Sequence, residues 1–386
     1  MGPPLDFHAA NAETLFALPL LAGTWLCLPA DGDSPRARWL RPFAAGALIG
    51  LASLIKQQAG IQLVALGAFL WMGAAGPAAI AYLVAGFAAP WLVAVAALAS
   101  AGVLAEFYYW TVSINRYYIA NGNSLRAGLP FLVGAAATLA RASPAVWALA
   151  LVQLARCAVR PRRALLLPCL WFLAALLPIS LGGRYFLHYF LQLLPPAVLL
   201  ACDLAVELWD RLAAHRLARA GVALAGSVLV AVPAVSGMAP FRDPELLSIP
   251  HAMPDARQAA RYVREHTLAD ARILVWGYGS ALYFLAERRP ATRFPYVTYL
   301  VGAVEGTSSW WNPFRPTEAL EIPRAWDLFF EDLERHPPAV VIDTSAPGYF
   351  AFTRFPPSRY PRLQAFLLAN YERRDVAGFP LWERKE

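Results

Sequence analysis

From its start to about residue 238 the chain runs in long apolar stretches parted by short polar gaps. Beyond that point the stretches shorten and charged side chains become frequent. A helix that crosses a bilayer takes about 20 mainly apolar residues. With shorter runs admitted where Pro or Gly interrupts them, the pattern predicts eight spans, at roughly residues 13–30, 42–55, 58–73, 77–99, 144–158, 163–181, 187–205 and 219–238. The stretch 128–141 fits either an interfacial or a re-entrant helix.

The remainder, 239–386, has the pattern of a small soluble α/β domain. Helical periodicity appears over 254–267, where Pro254 suits a first-turn position, and over 280–288, 318–335 and 361–371. Short β-rich runs, RILVW at 272–276 and AVVID at 339–343, fall between them. Helix and strand in alternation favour a small sheet with helices packed on it. The expected fold is therefore a polytopic α-helical membrane bundle, 1–238, followed by an extracytoplasmic α/β domain.

Charge fixes the expected orientation. The gaps after the first, fifth and seventh spans hold Arg36, Arg38 and Arg41; Arg160, Arg162 and Arg163; and Arg211 and Arg216. Basic residues mark the cytoplasmic side, and all three gaps fall on one side. Strict alternation then puts the N-terminus, the 100–143 loop and the tail outside. That loop is rich in interfacial aromatics, Tyr108, Tyr109, Trp110, Tyr117 and Tyr118. The start of the chain has no Lys or Arg before Arg36 and carries Asp6 and Glu13, so it lacks the basic region of a signal peptide.

Composition sharpens the class. Of the 386 residues 58% are hydrophobic and only 15% charged, with a mean hydropathy of +0.44, too apolar for one soluble domain. The net charge of +7 lies largely in the inter-span gaps, so it is topology information rather than a sign of nucleic acid. Cys27, Cys157, Cys169 and Cys202 sit in or beside apolar runs without C-x-x-C spacing, and the six histidines show no metal-binding spacing.

Three constellations at the expected outer face could carry chemistry. Lys56 ends the run PFAAGALIGLASLI and opens the polar step KQQAG; it is one of only two lysines, the other 31 basic residues being arginine. It fits a snorkelling anchor or a cation for a lipid-linked phosphate. In GGRYFLHYFLQLLPP, 182–196, a Gly182–Gly183 turn leads into Arg184 and Tyr185, with His188 one helical turn beyond Arg184 on the same face and Gln192 continuing a polar stripe. An arginine fork suits a phosphate or diphosphate; an interfacial Arg–Tyr anchor is the plainer reading. Asn11 and Glu13 stand at the mouth of the first span, where a carboxylate also complements the helix dipole. Asn115, Arg116 and Asn121 are weaker polar candidates in the outer loop. The sequence WGYGS at 276–280 has only G-x-G of a dinucleotide loop, and its glycines suit a turn.

The runs NAETLFALPL (11–20), GALIGLASLIKQQAG (46–60), GGRYFLHYFLQLLPPAVLLA (182–201) and ARYVREHT with ARILVWGYGSALYFLAERRPATRF (260–294) resemble the bacterial glycosyltransferase family 39 membrane proteins. These are similar to protein O-mannosyltransferases and aminoarabinose transferases of the GT-C superfamily. The resemblance implies a multi-pass protein of the inner (plasma) membrane. It would move a sugar, with inversion, from a polyprenyl-phosphate donor to a glycan, lipid or protein acceptor on the outer face. Lys56 matches the lysine that closes the family's G-x-x-x-G-x-A-x-L-x-K-like run, and Arg184, Tyr185 and His188 match its R-Y-x-x-H-Y segment, both near donor phosphate. The family's catalytic acids lie in an outer loop after its first helix, a region that would precede Met1. The expectation is therefore a chain truncated at its N-terminus, without its general base. Any divalent cation would belong to the full-length protein. Two other readings stay open: a transporter or flippase of lipid-linked sugars, and a non-catalytic membrane anchor whose tail binds a partner or polysaccharide.

Overall fold

The computed structural model describes residues 11–28, 36–73, 75–211, 254–312 and 314–385. It is mainly helical, with one small sheet near the C-terminus, and divides into two compact units, a helical one up to Arg211 and an α/β one from Pro254. The expected span 219–238 and the boundary near 238 lie outside the described residues.

The helical unit contains α1 (Ala12–Leu26), α2 (Ala37–Ile55), α3 (Gln62–Met72), α4 (Gly76–Ser100), α5 (Leu104–Tyr108), α6 (Ile114–Ala120), α7 (Leu125–Ala142), α8 (Pro144–Val159), α9 (Leu166–Ser180) and α10 (Leu194–Arg211). Among the described residues, three helical stretches are long and apolar enough to cross a membrane: Gly76–Ser100, Arg163–Gly183 and Leu187–Arg211. The pair α7 and α8, bent by 112° at Ser143, makes a fourth if it is one broken span. Of the seven expected spans that fall within the described residues, three or four therefore meet the length and apolarity of a crossing helix. Helix α1 has only 15 residues, about 22 Å at 1.5 Å per residue. Helix α2 carries Arg38 and Arg41 in its opening turns, and α3 has 11 residues because the polar step after Lys56 takes up a 3₁₀ turn, Gln57–Ile61.

The expected outer loop 100–143 is mostly helical, formed by α5, a π-helical turn at Tyr109–Ser113, α6 and α7. Prolines 19, 42, 90, 130 and 178 sit inside helices, as spanning helices tolerate when neighbours re-satisfy the freed backbone. Helices α2 and α4 meet through small residues. A Cβ on Gly46 would lie 2.0 Å from the Leu83 carbonyl oxygen, and one on Gly86 2.0 Å from that of Phe43. Small residues that bring backbones together are how helices pack without a hydrophobic driving force between them. Ile49, Leu66, Leu83, Trp171 and Phe172 belong to the buried core of this unit.

In the second unit α11 (Pro254–His266), α12 (Ala281–Ala286), α13 (Ala325–Arg335) and α14 (Pro361–Asn370) accompany β1 (Arg272–Trp276), β2 (Arg289–Pro290), β3 (Val340–Asp343), β4 (Tyr371–Val376) and β5 (Phe379–Arg384). The strand order is β2-β1-β3-β5-β4. Strand β1 pairs parallel with β2 and β3, whereas β5 runs antiparallel to β3 and β4. Ala259, Val263, Ile273, Val275, Ile342 and Leu381 are buried in its core. The helix expected over 318–335 begins only at Ala325, after a 3₁₀ turn at Glu318–Leu320, because Pro323 cannot lie inside it. The C-terminal hairpin β4–β5 is not in the sequence reading.

Candidate functional site

Helix α1 begins at Asn11, whose extended backbone (φ −70°, ψ 153°) offers its carbonyl to the amides of Thr14 and Leu15. Two residues on, Glu13 is buried with its side chain 1% exposed. Helix α2 ends at Lys56, whose extended backbone (φ −149°, ψ 119°) breaks the chain into the Gln57 turn. The two helix ends meet: Lys56 Nζ forms an ion pair with Glu13 Oε1. Each charge also complements the dipole of its own helix, the acid at an N-terminus and the cation at a C-terminus.

Arg184 is set by an unusual turn. Gly182 (φ 77°) and Gly183 (φ 58°) occupy left-handed conformations, and so does Tyr185 (φ 50°), a strained choice for a residue with a Cβ. Asn123 clamps this turn, its amide donating to Gly182 O at 2.9 Å and its Nδ2 to Gly183 O at 3.0 Å. The turn leaves Arg184 2% exposed. Its Nη2 donates to Tyr118 O at 2.7 Å and its guanidinium carbon stands 3.5 Å from the Tyr118 ring centroid.

Tyrosines join the two cations. Lys56 Nζ lies 4.5 Å from the ring centroid of Tyr189, and the Tyr118 side chain is a close neighbour of the Tyr189 hydroxyl. The order Glu13, Lys56, Tyr189, Tyr118, Arg184 is thus a continuous chain of contacts drawn from α1, the end of α2, the Leu187–Leu193 3₁₀ segment, α6 and the Gly182–Gly183 turn. Formal charges of one carboxylate and two cations leave it one positive charge in excess.

Of the sequence candidates, Glu13, Lys56 and Arg184 come together here, and Asn11 stands two residues from Glu13. His188 does not share a helical face with Arg184. The chain between them is not α-helical, since Arg184–Phe186 separate two 3₁₀ segments. His188 instead stacks on Phe186 (centroids 5.6 Å, planes 12° apart) and meets the edge of Tyr189 at 4.8 Å. Tyr185 is buried beside Gly128 of α7. Gln192 donates to Tyr189 O at 3.0 Å. Asn115 is exposed and donates to Gln57 Oε1 at 2.9 Å; Arg116 is exposed and Asn121 half-buried. The sequence reading did not single out Tyr189, whose signal was its place directly after His188 in the same polar stripe. It counted Tyr118 only as an interfacial aromatic.

Among the described residues no group of three or more His, Cys, Asp or Glu side chains converges on a metal-sized site. In the second unit Trp276 ends β1, and residues 277–280 bend the chain into α12. A Cβ on Gly277 (φ 138°) would fall 1.7 Å from Thr344 Oγ1. No protein-family model, curated protein or solved structure matches the chain.

Proposed function

We propose that the chain is a membrane glycosyltransferase of the GT-C type, moving a sugar from a polyprenyl-phosphate donor to an acceptor at the membrane surface. The observation that supports this reading is the convergence of Lys56 and Arg184, through Tyr189 and Tyr118, into one net-cationic cluster. Arginine offers a planar fork that matches phosphate oxygens, and ionisable groups buried in an apolar bundle mark functional sites by default.

In the proposed reaction an acceptor oxygen attacks the anomeric carbon from the face opposite the phosphate. The new carbon–oxygen bond forms as the carbon–oxygen bond to phosphate breaks. The electron pair leaves with the polyprenyl phosphate, whose growing charge Arg184 and Lys56 stabilise. Glu13 holds Lys56 before the donor arrives. The acceptor proton needs a base, which the family resemblance assigns to a carboxylate of an outer loop.

One observation favours the transporter reading. Gln62, 1% exposed, donates to Thr24 Oγ1 at 3.0 Å, while its Oε1 is buried without a hydrogen-bond partner. Buried polar groups between helices can line a substrate path.

The test uses native membranes that contain the protein, supplied with a radiolabelled polyprenyl-phosphate sugar and a mixed acceptor extract. Transfer of label to acceptor, abolished by Arg184→Ala at unchanged membrane expression, is the expected result. Movement of labelled lipid between leaflets with no transfer supports the transporter, and wild-type transfer by Arg184→Ala defeats the assignment.

A further inference from the structure

In the second unit the order β2-β1-β3 places a topological switch point at β1. The connection leaving β1 goes to β2 on one side, and the chain then returns to form β3 on the other. In open α/β sheets such a point opens a crevice beyond the carboxyl ends of the strands, where ligands bind. Here it is bounded by the loop after β1, from Gly277, and the loop after β3, from Thr344. The two are locked together at their base, since Thr344 Oγ1 donates to Trp276 O at 2.9 Å and Gly277 leaves room for that hydroxyl.

Half-buried aromatic rings collect between the loop after β1, which carries Tyr278, and the segment that follows β2, which carries Tyr296, Tyr299 and Trp310. Tyr278 lies 5.3 Å from Tyr296 and 4.9 Å from Trp310, and Tyr296 lies 6.0 Å from Tyr299. The Tyr278 hydroxyl donates to Glu305 Oε2 at 2.9 Å, which sets a half-buried carboxylate among the rings. The segment bearing Glu305 and Trp310 is held by its own bonds. Val304 N donates to Ser309 Oγ at 2.9 Å, and Arg354 Nη1 donates to Ser309 O at 3.0 Å. Phe314, just beyond, is 90% exposed.

We propose that this surface binds a glycan chain. Ring faces cover the apolar C–H faces of pyranoses, while Glu305 accepts hydrogen bonds from sugar hydroxyls; a pocket of aromatic walls with few polar groups is the usual form of a small-molecule site. An apolar protein face or the membrane interior would bury the Glu305 charge at a cost, and nucleic acid would be repelled by it. The internally bonded loops hold the surface in shape before the ligand arrives, which lowers the entropy cost of binding. The proposal is independent of the transferase reading, because sugar binding is measured with no donor present.

The experiment titrates the full chain, in nanodiscs, with soluble tetrasaccharides of glucose, mannose, galactose and N-acetylglucosamine. Saturable binding of at least one in the millimolar range or tighter is expected. Trp310→Ala and the conservative Glu305→Gln should each weaken it tenfold or more, while Phe284→Ala, which removes an aromatic 80% exposed elsewhere on the unit, leaves it unchanged. No saturation by any of the four, or wild-type affinity in both Trp310→Ala and Glu305→Gln, overturns the proposal. So does burial of the patch in lipid, read as bilayer protection of a Phe314→Cys thiol that no sugar alters.

Discussion

Glu13, in the first turn of α1, and Lys56, the residue that caps the end of α2, are 43 positions apart and form a part-buried ion pair above the ring of Tyr189. Removing one member of a buried pair strands the other and costs about 3 kcal/mol or more, with the quarter exposure of Lys56 holding the value near the lower end. Glu13→Gln and Lys56→Met should each lower the unfolding temperature in detergent. The double variant should recover a good part of the loss, and additive losses would remove the coupling.

Arg184 stacks on Tyr118 and bonds its carbonyl in one planar gesture that lysine does not copy. Arg184→Lys should therefore stay as deficient in sugar transfer as Arg184→Ala, at least tenfold below wild type, although its charge is kept. Transfer restored by lysine would reduce the role of Arg184 to charge alone.

Much of this cluster was legible in the sequence. Lys56 stood out against 31 arginines, and Arg184 followed a Gly-Gly pair beside a polar stripe. The helical register between Arg184 and His188 was not legible, because a left-handed Tyr185 (φ 50°) and an extended Phe186 (φ −59°, ψ 141°) replace the helix that a spacing of four presupposes. Which apolar runs form helices long enough to cross a bilayer was not legible, because apolarity alone does not show that α2 already starts at Ala37 among arginines, or that the chain bends by 112° between α7 and α8. In the second unit β1 and β3 are buried runs that periodicity finds. Strand β4 is YERRDV, mostly exposed charge on a sheet edge, and its partner β5 is recognised only through the Ala377–Gly378 turn (φ 52° and 80°), a two-residue hairpin connection with both residues left-handed.

Helices α2 and α4 approach so closely that there is no room for a side chain at Gly86, where a Cβ would meet backbone at 2.0 Å. Gly86→Leu should separate the pair and lower stability by about 3 kcal/mol or more, at the top of the range for overpacking, read as a fall in unfolding temperature. Gly134→Leu, at a position with open space around it, should change little.

Two carboxylates give the second unit opposite acid responses. Burial pushes Asp343 above the ordinary carboxylate range, partly offset by the amide and hydroxyl of Ser345. Burial also acts on Asp332, but the side-chain and backbone bonds from Arg293 win and hold it below that range. A raised group contributes stability that is full below its unfolded pKa and lost as pH rises through its folded pKa; a lowered one contributes stability above its unfolded pKa that is lost as pH falls through its folded pKa. Asp343→Asn should therefore protect the second unit at pH 7.5 and make no difference at pH 3. Asp332→Asn should weaken it at pH 7.5 by more than at pH 3. Hydrogen exchange at β1 and β3 in the full chain measures both.

The central claim is that Lys56 and Arg184 together hold a lipid-linked phosphate. Its most direct measurement is the affinity of the chain in nanodiscs for polyprenyl phosphate, with uncharged polyprenol as competitor. The account expects saturable binding that polyprenol does not displace, weakened tenfold or more by Arg184→Ala and by Lys56→Met. Equal affinity for the two lipids, or undiminished binding in both variants, would contradict it.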